Sequence, residues 1–178
     1  VRSAEQRSEE AQWREAHRQA LDLAQRLRGV SRVFRRYAGE LRYHPAGGVQ
    51  GHVGQDLRDA AAALREVLEA VVTAAARWDE EVGWLRARDP QAPVEEVQRD
   101  HAAVRDAAAL TRAALDVLEQ TLGRPEVAAL DAPYGTGAPT RVHPGAQCTW
   151  VAQRAEELAT ALSAVTLRKE NLLRATAV

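Results

Sequence analysis

Residues 13–41 read WREAHRQALDLAQRLRGVSRVFRRYAGEL. The apolar positions are Trp13, Ala16, Ala20, Leu23, Leu27, Val30, Phe34, Tyr37 and Leu41. Their spacing alternates three and four throughout, the a/d seam that keeps one face of an α-helix against partners. Upstream, Ser3 and Gln6 have the spacing of a capping box. Downstream, His44-Pro45 and Gly47-Gly48 end the helix, because proline disfavours helical geometry in the residue before it.

The same spacing recurs three times. A second seam runs Leu57, Ala60, Leu64, Val67, Val71, Ala74, Trp78, Glu81 and Leu85, entered through Asp56 and Asp59. A parallel row of Ala61, Leu68, Ala75 and Val82 widens its apolar stripe. A third runs Val94, Val97, His101, Val104, Ala108, Thr111, Leu115, Leu118 and Leu122, between Pro93 at the start and Gly123 and Pro125 at the end. A fourth, entered through Pro144-Gly145, runs Cys148, Val151, Ala155, Leu158, Leu162, Val165, Lys169 and Leu172. No strand-like alternation competes. The expected fold is all-α: a single domain over residues 1–178, with helices over 3–43, 56–88, 93–122 and 146–175. Rods of roughly 45 Å with wide apolar stripes pack best as an antiparallel up-down-up-down four-helix bundle. Residues 1–10 have little to bury, so the first helix is expected to project.

One connection is short, Arg88 to Pro93. The other two, Tyr43–Gln55 and Arg124–Gly145, are long and rich in glycine and proline. In an up-down-up-down bundle they share one end. Long loops are more often functional than short ones. The candidate ligand-binding set gathers there: Tyr43, His44, His52, Tyr134, Arg141, His143 and Cys148.

Imidazoles and a thiolate suit zinc-like ions, but His44, His52, His143 and Cys148 match no compact ligand spacing, and no metal or other cofactor is assigned. Glycine-rich backbone beside Arg141 suits an anion, yet the lysine of a phosphate-binding loop is missing. A di-iron centre needs Glu-x-x-His on two helices. Here Glu15 stands two before His17 and Glu96 five before His101.

Three polar residues interrupt the seams at nearly one height: Glu81, His101 and Lys169. They are expected to form a buried polar layer that fixes register at a cost in stability. The alternatives are outward snorkelling of Glu81 and Lys169, and a catalytic or pH-sensing histidine. Trp84 lies off the main seam and, with Arg28, Arg32 and Arg35 on one face of the first helix, is the candidate partner-binding set.

The chain of 178 residues has 24 Lys and Arg, 25 Asp and Glu, and a formal net charge of -1, so bulk electrostatics do not favour nucleic acid or membrane. Methionine is absent and lysine occurs once, a bias that suits the codon usage of a high-GC bacterium. One cysteine precludes an internal disulfide. Residues 1–10 are polar where a signal peptide needs an apolar stretch, which points to the cytoplasm. Strong packing information without an assembled nucleophile and base favours a non-enzymatic interaction protein: an adaptor, scaffold or assembly subunit. Its expected partner is another protein or a second copy, with nucleic acid or another polyanion as the lesser choice. The alternative function is a small-molecule, metal or phosphate-binding bundle with its site at the long-loop end. An enzyme using His44, His52, His143 or Cys148 is a third class.

Overall fold

The computed structural model describes residues 3–43, 53–124 and 144–176. Among them five helices follow one another: α1 (Ala4–Tyr43), α2 (Val53–Ala76), α3 (Trp78–Arg88), α4 (Val94–Leu122) and α5 (Gly145–Thr176). Among the described residues there is no strand. The helices pack closely, α5 most extensively against α1 and α4.

The start of α1 is set locally. The Ser3 hydroxyl oxygen accepts from the Gln6 amide at 3.1 Å and the Ser3 amide donates to Gln6 Oε1 at 3.0 Å, so two amide donors at the helix start are satisfied reciprocally. Residues 3–8 are exposed, and packing begins at Glu9 and Glu10. The exposed extension is therefore shorter than the ten residues expected.

The helix expected over 56–88 begins earlier, at Val53, and is interrupted at Arg77. There the Arg77 amide reaches back only three residues, to Ala74 O at 3.1 Å. Nothing in the composition marks this break, since alanine and arginine are good helix formers. Tertiary contacts hold it. Arg105 of α4 donates to Ala75 O at 3.0 Å, and its guanidinium carbon lies 5.6 Å from the Trp78 ring centroid. The Ala75 carbonyl next to the break thus has a partner that a continuous helix would not need.

The interior divides in two. The larger core draws on α1, α2, α4 and α5, with Phe34, Leu64, Leu115 and Leu158 among its fully buried members. A smaller one gathers Trp13, Val82, Leu85, Val94 and Val97, with Trp84, Ala92 and Leu172 packed on it.

Partners across α1 and α5 run in opposite order: Arg28 Nη2 donates to Ser163 Oγ at 3.0 Å, and Arg35 pairs with Glu156. Gly145 sits against Leu41, where an added Cβ would lie 3.6 Å from the Leu41 Cβ. Across α4 and α5, Arg168 pairs with Glu96 and Asp100, while Thr111 Oγ1 donates at the level of Ala107 O and Arg154 O. No helix among the described residues is long and apolar enough to cross a membrane.

Candidate functional site: a buried ammonium between two tryptophans

The larger and smaller cores meet at the level of Trp78, where polar side chains collect. Seam periodicity carries Glu81 from α3, His101 from α4 and Lys169 from α5 to this level. Lys169 is 6% exposed and His101 1%. The Lys169 ammonium donates to Glu81 Oε2. It also lies 5.2 Å from the Trp78 ring centroid and 5.6 Å from that of Trp13, both within cation–π range. His101 stacks on Trp78, ring centroids 4.4 Å apart and planes inclined by 22°.

Two buried polar atoms at this level, Trp13 Nε1 and His101 Nε2, have no hydrogen-bond partner among the described residues. Burial pushes the His101 imidazole down to about 3, and the charges of Lys169 and Arg105 push the same way. Burial and the two neighbouring cations thus favour the neutral ring. Lys169 is also shifted down: desolvation favours its neutral form and the Glu81 carboxylate opposes that.

Trp84 closes the outer side. Its ring packs on Trp13 with centroids 4.9 Å apart, its Nε1 donates to Glu9, and Arg88 lies 5.1 Å from its centroid. It is half-buried and engaged within the chain rather than standing out as an anchor. Of the arginines grouped with it, Arg32 is exposed, whereas Arg28 and Arg35 bond to α5. Arg35 makes a two-pronged contact, Nε and Nη2 each 2.6 Å from a Glu156 oxygen, with Ser31 Oγ 2.7 Å from Oε1. That arginine, aided by Ser31, holds the Glu156 carboxyl down at about 2.

Of the ligand set expected at the long-loop end, His44, His52, Tyr134, Arg141 and His143 lie outside the described residues. Tyr43 ends α1. Cys148 is fully buried in the larger core, and burial pushes its thiol up to about 12. Near this end the Tyr37 hydroxyl donates to Asp56, whose carboxylate pushes the phenol up to about 12. Among the described residues, no group of three or more His, Cys, Asp or Glu could hold a metal ion.

No protein-family model, curated protein or solved structure matches this chain.

Seam interruption alone flags Glu81, His101 and Lys169. The roles of Trp13 and Trp78 as the faces around the ammonium were not visible from spacing, which marks them only as apolar. Arg105 carried no sequence signal at all, being one more arginine on an outward position of a helix.

Proposed function

We propose that this chain is a non-enzymatic helical interaction protein of the cytoplasm, an adaptor, scaffold or assembly subunit. In this reading it is an antiparallel up-down-up-down bundle in which α2 and α3 together make one rod and the two long glycine- and proline-rich connections share an end. The opposite numbering of partners across α1–α5 and α4–α5 supports that topology.

The observation that carries the interaction reading is an exposed apolar strip across α4 and α5. Leu110 and Val117 are 46% and 39% exposed and stand seven residues apart, two turns on one helix face. Thr111 bonds at the level of Arg154, which sets Leu110 beside that turn of α5, and Trp150, one turn earlier, is 38% exposed. Single exposed apolar residues are ordinary, but aligned ones that include a tryptophan suit the apolar face of a partner helix, from another protein or a second copy.

Sedimentation velocity with the wild type and Leu110→Glu, plus co-purification of both from the native host, tests this. The expected result is an association, with itself or a defined partner, that Leu110→Glu weakens at least about tenfold. A wild type that stays monomeric and brings down nothing that the variant loses would overturn it.

A further inference from the structure

In this chain 24 residues are lysine or arginine, and only one of them, Lys169, is lysine. That one lysine occupies the place where two indole faces and a carboxylate converge. Arginine stands at all the other basic positions. The two cations differ in shape. An ammonium is a compact point charge with three donors, whereas a guanidinium is a planar fork that takes more room. Trp13 and Trp78 stand about a single ammonium at 5.6 and 5.2 Å, and Glu81 accepts a hydrogen bond from it.

The neighbouring cation makes the contrast. Arg168, one residue earlier on α5, turns outward and divides its guanidinium between Asp100 and Glu96, the geometry that suits a fork. Two successive residues of one helix thus carry the two kinds of cation, each in the matching environment. Buried polar groups of a purely structural layer are ordinarily paired. Here Trp13 Nε1 and His101 Nε2 have no hydrogen-bond partner among the described residues, while the aromatic faces are kept on the cation.

We propose that Trp13, Trp78 and Glu81, backed by His101, form a recognition box for a primary alkylammonium group, filled within the same chain by the head of Lys169. The helix α5 is then the ligand of a site built by α1 and α3. Any other occupant is a primary ammonium that competes with this tether.

Emptying the box tests its selectivity. Lys169→Ala removes Cγ, Cδ, Cε and Nζ, the equivalent of n-propylammonium, and strands Glu81. A fall in thermal midpoint on the order of 10 °C is expected. Added n-propylammonium chloride is expected to restore much of it saturably, and to change the tryptophan fluorescence as it does so. Sodium chloride and n-propanol at equal concentration are expected to do neither. Lys169→Arg keeps the charge and is expected to lose nearly as much as Lys169→Ala, while Arg168→Lys, the matched control, loses little. Should Lys169→Ala fail to fold, refolding it with and without n-propylammonium gives the same comparison. A Lys169→Arg protein as stable as the wild type would overturn the proposal. So would a Lys169→Ala protein for which n-propanol serves as well as n-propylammonium.

Discussion

The larger and smaller cores stabilise the same chain by different means. In the larger one, leucines, valines and alanines from α1, α2, α4 and α5 exclude water over a long contact. That attraction is large but has little directionality, and a heptad slide would preserve much of it. The smaller one has five buried members among the described residues, two of them on the eleven-residue α3. It is joined to the larger through the level of Glu81, His101 and Lys169, where partners are specific. A slide of α5 by one heptad would take Lys169 away from Glu81 and strand both charges. Bulk apolar burial supplies adhesion, whereas the Lys169–Glu81 pair is met only when those two side chains face each other.

Truncation in each region separates the two most sharply. Phe34→Ala in the larger core is expected to cost about 3–5 kcal/mol and to lower amide protection throughout. Leu85→Ala in the smaller core is expected to cost about 2 kcal/mol, with protection lost first in α3 and at the start of α4. Hydrogen exchange followed segment by segment checks this. If both variants open every helix together, the two cores form one cooperative unit and the contrast is broken.

A smaller effect follows from His101. Its folded value of about 3 lies below that of the unfolded chain, near 6.5. Between these values the unfolded chain binds a proton that the folded one refuses. Stability from this group is therefore full above pH 6.5 and declines as pH falls toward 3, by up to about 1.4 kcal/mol per pH unit. Urea midpoints at pH 6.5 and 5 are expected to differ more in the wild type than in His101→Leu. An equal pH slope in both proteins would mean that the imidazole is not kept neutral by burial.

The smallest effect belongs to the α1–α5 clamp. Arg35 and Glu156 are both substantially exposed, so a double-mutant cycle is expected to give about 0.5 kcal/mol, falling in high salt. A coupling well above that would mean that the surface pair contributes to holding α1 against α5 as strongly as a buried contact.

The helices were legible because apolar side chains recur at three-four intervals, and burial rewards that spacing whatever the partner. The interruption of the seams by Glu81, His101 and Lys169 was legible for the same reason. What spacing could not give were events decided by another helix. The break at Arg77 falls in a run of good helix formers and is held by Arg105 from α4. Trp84 lies off the seam and looked available, but a neighbouring helix supplies Trp13 and Glu9 to engage it. Arg28 and Arg35 share a face with Arg32, yet only contact with α5 distinguishes them. Much of the expected ligand set falls outside the described residues, and Cys148 shows why residue type alone misleads: a cysteine at the start of a helix can be a core residue.

The single lysine also determines how the folded chain answers amine-directed chemistry. Acylating or cross-linking reagents that seek side-chain amines have Lys169 as their one lysine target, and in the folded state its nitrogen is covered by indole and carboxylate. Reaction there requires the α3 end to come apart first. The extent of acylation at that residue therefore counts the molecules whose end has opened.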